Sequence, residues 1–252
     1  MLTSLVLAFP ILAITWIGGK IFILFSIVVA AFVFYEWNSF ILPLESCLIR
    51  GCGWLCYGTF SVALFYKTSA SILILIILLA CCLIFLASYA RNYWAVFGFI
   101  YSSLLAMTLS FLSAHAVFFL YAVVWGTDSG AYFCGRIFGG FKLAPVLSPG
   151  KTWSGALGGL IIGIVSGMCL AGIMMEMCLR KGCIVFSIAC FISIASQMGD
   201  LGESWLKRRF SVKDSSNILP GHGGVMDRID GLVVASVLLY IMTTAFNNPI
   251  FL

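Results

Sequence analysis

Carboxylates and cations crowd into one short stretch of this chain. Five of the nine acidic residues, Asp200, Glu203, Asp214, Asp227 and Asp230, fall between positions 200 and 230. Five of the fourteen basic residues, Lys207, Arg208, Arg209, Lys213 and Arg228, share that window. Carboxylates without competing soft ligands suit Mg²⁺, which prefers oxygen and commonly binds through one or two carboxylates plus substrate phosphates. Lys and Arg beside them suit the phosphates themselves. The chemistry on offer is the binding of metal ions and phosphate groups.

Spacing sharpens the reading. Asp200, Glu203 and Lys207 stand at i, i+3 and i+7, one face of a helix. Asp200 closes an apolar run, and a carboxylate at a membrane boundary is a functional hypothesis by default. The plain alternative is a snorkelling helix end with a Glu203–Lys207 surface pair. After a polar turn comes Leu219-Pro-Gly-His222-Gly-Gly-Val-Met-Asp227-Arg228-Ile-Asp230. Gly221, Gly223 and Gly224 allow a tight path, and a glycine turn feeding a helix presents N–H groups to an anion. Asp227 and Asp230, at i and i+3, project from the first turns of that helix. The alternative for them is satisfaction of the helix macrodipole. His222 is a candidate general acid/base or phosphate donor.

A second polar region runs from Asp128 through Arg136 to Ser148-Pro-Gly-Lys151-Thr152-Trp153. Gly150-Lys151-Thr152 resembles the end of a P-loop, but the required glycine five residues earlier is Pro145, and no strand pattern precedes it. Lys151 ahead of a helix remains a candidate phosphate clamp. Interfacial anchoring by Lys151 and Trp153 is the alternative.

The elements that must position these residues are membrane helices. The chain has 252 residues, 62% hydrophobic and 9% charged, with a mean hydropathy of +1.13. Soluble domains carry about 25% charge, so most of this exterior must face lipid. Apolar runs predict nine helices near 2–17, 20–36, 53–66, 71–88, 93–111, 113–126, 154–175, 183–199 and 231–247, or eight if the sixth merges with the fifth. The fold class is all-α: a polytopic transmembrane bundle with the active loops on the cytoplasmic face. Alternate connections divide the Lys and Arg residues ten to four, and the positive-inside rule puts both polar regions on the cytoplasmic side. A division at 126/127 separates N-terminal helices (1–126) from a catalytic region (127–252). Ten cysteines in mostly apolar runs, with only two histidines, read as small apolar residues and not as a zinc site. The net charge of +5 suits an anionic bilayer and gives no ground for a nucleic-acid partner.

The pattern resembles the phosphatidate cytidylyltransferases, also called CDP-diacylglycerol synthases. The family's C-terminal signature stands here as Ser204, Lys207-Arg208, Lys213-Asp214, Pro220-Gly221-His222-Gly223-Gly224, Asp227-Arg228 and Asp230, without departure. Gly199-Asp200-Leu201 with Glu203, Asp128 with Ala131-Tyr132 and Gly135-Arg136, and Ser148-Pro149, Lys151-Thr152 and Gly155 are similar too. Ser154 departs, standing where relatives commonly carry an acid. The N-terminal half matches only as a hydrophobic multi-helix region.

The resemblance implies that CTP and phosphatidate give CDP-diacylglycerol and pyrophosphate, with Mg²⁺ as one ion or two. It implies metal ligation by Asp200, Asp227 and Asp230, and phosphate contacts from Lys207, Arg208 and Arg228. The Gly221–Gly224 turn with His222 would approach the nucleotide. Lys213 and Asp214 would order the loop or touch the nucleotide, and Glu203, Asp128 and Lys151 would line the same substrate site. It further implies a homodimer among membrane lipids, and the compact size fits a bacterial inner membrane. Other classes kept in view are a CTP-dependent lipid kinase and a membrane transporter. A CDP-alcohol phosphotransferase is disfavoured, since Leu-Val-Val follows Asp230-Gly231 where that family has Ala-Arg.

Overall fold

The computed structural model describes residues 2–41, 47–88, 93–174, 176, 178–216, 218 and 223–245, with side chains from residue 8 onward. Nine helices lie among these residues: α1 (Leu2–Ile17), α2 (Gly19–Ile41), α3 (Cys47–Phe65), α4 (Ala70–Ala87), α5 (Tyr93–Phe111), α6 (Ala114–Phe138), α7 (Trp153–Met174), α8 (Leu179–Arg209) and α9 (Met226–Ala245). Eight of them, α2 to α9, are long and apolar enough to cross a membrane. The expected all-α, polytopic architecture is therefore what the chain adopts, and the protein is a multi-pass membrane protein. α4 shows the logic. Leu73, Ile77, Ala80 and Ile84 recur at helical spacing and are buried, while Leu75, Leu78, Leu79, Leu83 and Leu86 are exposed, an outer face suited only to lipid.

Three differences from the apolar runs bear on the site. α6 continues past Gly126 to Phe138, so Asp128, Tyr132 and Arg136 stand on a helix and not in a loop. α8 continues past Gly199 to Arg209, which puts Asp200, Glu203, Lys207 and Arg208 on its last turns. Charge ends an apolar pattern without ending a helix, because Leu, Glu, Lys and Arg are good helix formers. Lys207, Arg208 and Arg209 also complement the negative end of the α8 dipole. The third difference is a small hairpin. β1 (Lys142–Ala144) pairs antiparallel with β2 (Ser148–Thr152), Lys142 opposite Thr152 and Ala144 opposite Ser148.

The chain forms two compact units, Met1–Phe111 with Val212–Arg228, and Leu112–Ser211 with Ile229–Leu252. In the first, aromatic side chains fix α2 against α3 and α5. Phe34 stacks on Tyr57 at 5.5 Å and meets Phe99 edge-on at 6.0 Å. The Tyr57 hydroxyl donates to the Ile27 carbonyl at 2.8 Å, and the Trp37 indole N–H donates to the Trp94 carbonyl at 2.9 Å. Gly98 leaves the space that the Trp37 ring fills.

In the second unit, α7 presents Gly155, Gly159, Gly163 and Gly167, every fourth residue and all buried. Small residues at this spacing let membrane helices approach closely. A Cβ on Gly155 would stand 2.8 Å from the Ala131 carbonyl of α6, and one on Gly159 would stand 2.7 Å from that of Thr127. Thr127 Oγ1 in turn donates to Ser193 Oγ of α8 at 2.8 Å. Thr152 caps α7, its hydroxyl accepting from Gly155 N at 3.1 Å. Gly159→Val is expected to lower stability by about 1–3 kcal/mol through overpacking against a backbone carbonyl. Denaturation by SDS in mixed micelles measures it, and a wild-type midpoint would show that this contact does not hold α6 to α7.

Candidate active site

The site grows from a crossing of α8 and the Ile229–Ala245 part of α9. Gly199 and Gly231 lie back to back, a Cβ on Gly199 falling 3.0 Å from Gly231 Cα and 2.7 Å from the Asp230 carbonyl. A Cβ on Gly231 would fall 2.9 Å from Asp200 Oδ1. Each glycine adjoins an aspartate in sequence, so the backbone contact sets the two carboxylates beside each other. Asp200 and Asp230 interact electrostatically. Like charges this close repel unless a proton or cation lies between them.

Two further elements bring charge to this pair. Lys151, from β2, places its Nζ 3.3 Å from Asp200 Oδ2. Asp128, from α6, interacts electrostatically with Asp230, Lys151 and Asp200. Asp128, Lys151 and Asp200 line a cavity of about 550 Å³ together with Tyr132, Arg136 and Gln197. Arg136 donates to the Tyr132 hydroxyl at 2.9 Å, and Gln197 Nε2 donates to the Ala156 carbonyl at 3.2 Å. The cavity thus has two cations, Arg136 and Lys151, on walls that also carry carboxylates. That mixture suits a polyanion delivered with a divalent cation.

The residues fit Mg²⁺ in one respect and leave the ligand set open in another. Among the described residues, no three carboxylate, imidazole or thiolate groups close on one point. Mg²⁺ needs fewer from the protein, usually one or two carboxylates with water and phosphate completing its shell. Asp200 and Asp230, with Asp128 near them, meet that requirement.

The last turns of α8 extend the polar surface. Glu203 pairs with Lys207 at 3.4 Å, as the plain alternative foresaw, but Glu203 is buried and the pair is not a surface one. Arg208 Nε donates to the Leu147 carbonyl at 3.5 Å, at the turn of the hairpin.

The rest of the signature belongs to the first unit, where one buried carboxylate organises it. Glu36 of α2 is 0% exposed. Its Oε1 accepts from Ser216 Oγ at 2.6 Å and Val225 N at 2.8 Å. Its Oε2 accepts from Ser215 Oγ at 2.8 Å and Met226 N at 2.7 Å. Asp227 accepts from Ser215 N at 3.2 and 3.1 Å, and reaches back to Gly224 N at 2.9 Å, as an acid in the first turn does in a capping box. The N–H groups of the glycine turn were expected to face a substrate anion; those of Gly224, Val225 and Met226 face the chain's own carboxylates. Gly224 leaves room for Glu36, since a Cβ there would fall 2.6 Å from Oε2; Gly223, with φ +79°, turns the chain. Lys213, Asp214 and Arg228 are exposed. Gly221 and His222 lie outside the described residues.

Glu36 and Gln197 have no role in the sequence reading, and the packing of Gly199 on Gly231 was not foreseen. Glu36 could have been found as a carboxylate at the end of the apolar run 20–36. The glycine pair could have been found from the order Gly-Asp in one helix and Asp-Gly in the other.

A multi-pass membrane protein with paired aspartates beside a cavity lined by both cations and carboxylates is the class that fold and site define. The whole of residues 1–246 matches the Cytidylyltransferase family. The phosphatidate cytidylyltransferase of Brucella suis biovar 1 (strain 1330) is 40% identical over 255 residues, covering 98% of this chain and 93% of that protein. Those of Bacillus subtilis (strain 168) and Haemophilus influenzae are 43% identical over 133 residues and 47% over 128 residues. The matches cover 52% and 48% of this chain, and 48% and 44% of those proteins. The chain belongs to the cytidylyltransferase family, among its phosphatidate cytidylyltransferases, and is an enzyme of the nucleotidyltransferase class.

Gly231→Ala is expected to wedge α8 from α9 and part the two aspartates. Turnover should fall about 100-fold, the usual cost of ångström-scale misplacement, with membrane yield retained. Wild-type turnover in that variant would show that the aspartates need not stand this close.

Proposed function

We propose that the enzyme transfers CMP from CTP to phosphatidate, giving CDP-diacylglycerol and pyrophosphate, at the cytoplasmic face of a bacterial inner membrane. The observation that carries this reading is the gathering of Asp128, Lys151 and Asp200 at one cavity, with Asp230 interacting electrostatically with Asp128 and Asp200, in a chain of this family. A phosphate oxygen of the lipid attacks the α-phosphorus of CTP in line. The bond from that phosphorus to the oxygen bridging to the β-phosphate breaks, and pyrophosphate leaves with the electron pair. Both reactants are anions, so positioning and charge neutralisation are what the site must supply.

Lys151 and Arg136 hold phosphate oxygens in the cavity, and Lys207 and Arg208 extend that cationic surface along α8. Asp200 and Asp230 hold Mg²⁺, which when bound neutralises the phosphates of CTP and polarises the α-phosphorus. Asp128 shares the field of that pair. Asp227 keeps the ligand role that the resemblance implies. Arg228 contacts phosphate, and Lys213, Asp214, His222 and the glycines of 221–224 serve the nucleotide. A homodimer follows from the resemblance alone.

Detergent-purified enzyme given phosphatidate, CTP and Mg²⁺ is expected to release pyrophosphate and CDP-diacylglycerol in equal amounts, and to stop with EDTA. Release of CDP with no pyrophosphate would move the protein to the lipid kinases. Asp230→Asn is expected to abolish turnover while the protein remains folded and in the membrane; wild-type turnover in that variant would remove Asp230 from the metal assignment.

A further inference from the structure

Glu36 lies far from the signature in sequence, in the half of the chain where the family pattern is only hydrophobic. Its carboxylate is nonetheless a completed binding site, and what it binds is the signature loop. An isolated charge in the interior of a membrane protein costs several kcal/mol, so its partners must be strong and fixed. Four donors converge on two oxygens at 2.6–2.8 Å. Two are the hydroxyls of Ser215 and Ser216, directly after Lys213-Asp214. Two are the N–H groups of Val225 and Met226, directly before Asp227-Arg228.

The arrangement is a clamp across the loop. Ser215 and Ser216 are held through their side chains, and Val225 and Met226 through their backbone, all on a single carboxylate. Gly224 is required for it, because a Cβ there would press on the Glu36 carboxylate, 2.6 Å from Oε2. The helix held this way is α9, which carries Asp227 on its first turn and Asp230 one turn later. α2 itself cannot shift easily, since Phe34 and Trp37 flank Glu36 and lock into α3 and α5.

We infer that Glu36 is a positioning residue for cytidylyl transfer, holding Ser215, Ser216 and the start of α9 in the conformation that the reaction needs. The inference rests on the proposed function only for its effect on turnover; the clamp itself has a readout of its own.

A glutamine is the informative substitution. It has the same length, but its amide nitrogen accepts nothing. A serine hydroxyl can turn to suit it, whereas the N–H of Val225 or Met226 cannot. In Glu36→Gln, amide hydrogen exchange across 223–228 should quicken by at least about tenfold, the scale of one lost hydrogen bond to a charged group. With phosphatidate and CTP, kcat should fall about 100-fold while both KM values stay within a small factor. Thermal stability in detergent should change little. Ser215→Ala with Ser216→Ala keeps the carboxylate and both N–H donors, so it tests the clamp even if Glu36→Gln does not accumulate. Exchange at 213–218 should quicken there and kcat should fall by a smaller factor. Exchange and kcat both at wild-type levels in the variants would overturn the inference. A loss of kcat matched by a collapse in thermal stability, with unchanged exchange in the loop, would also overturn it and make Glu36 a fold residue. If the wild-type enzyme were inactive on phosphatidate and CTP, the proposed function would fail while the exchange measurement still judged the clamp.

Discussion

A carboxylate inside an apolar helix persists only where donors or cations come to it, because desolvation otherwise forces a proton onto it or expels it to water. That constraint shapes both units of this protein. In one, Glu36 draws two serine hydroxyls and two backbone N–H groups around itself and thereby fixes a loop. In the other, Asp200 and Asp230 are placed side by side, with Lys151 supplying one nearby cation. Glu36 is fully satisfied by the chain. The aspartate pair stands in one electrostatic cluster with Asp128 and Lys151. The first arrangement closes on the chain's own donors, and the second gathers the kind of carboxylates that a divalent cation would use.

Glycine is the means by which helices bring these groups together. With lipid as the surrounding solvent, apolar burial does little to hold one helix to another, and close backbone packing does more. The α7 stripe lets α6 and α8 pack around it and orders the hairpin end that carries Lys151. At Gly199 and Gly231 the same device acts locally, and its product is the aspartate pair. A polar site in a membrane enzyme is here a consequence of where side chains are missing.

Much of this was legible in the sequence. The nine apolar runs located every helix among the described residues, because the hydrocarbon core imposes length and composition directly. Asp128, Lys151, Asp200 and Asp230 were named before any fold was known, since charge in so apolar a chain is conspicuous. Helix ends were not legible where charged residues with good helix propensity carry the helix onward, as after Gly199. The hairpin was hidden because Lys-Leu-Ala and Ser-Pro-Gly-Lys-Thr show no alternation, and its pairing depends on the turn between them. Glu36 was hidden for a different reason. Its four partners are nearly 180 residues away or more, and only the fold brings them together.

The central claim is that Asp200 and Asp230 together form the metal-binding centre for a nucleotide-bound divalent cation. Electron paramagnetic resonance of Mn²⁺ titrated into the purified enzyme with CTP, and without phosphatidate, tests it most directly. Wild-type enzyme should bind the ion, and Asp200→Asn and Asp230→Asn should each weaken binding by at least about tenfold, no less than the loss of an outer-shell partner costs a metal site. Unchanged Mn²⁺ affinity in both variants would contradict the account.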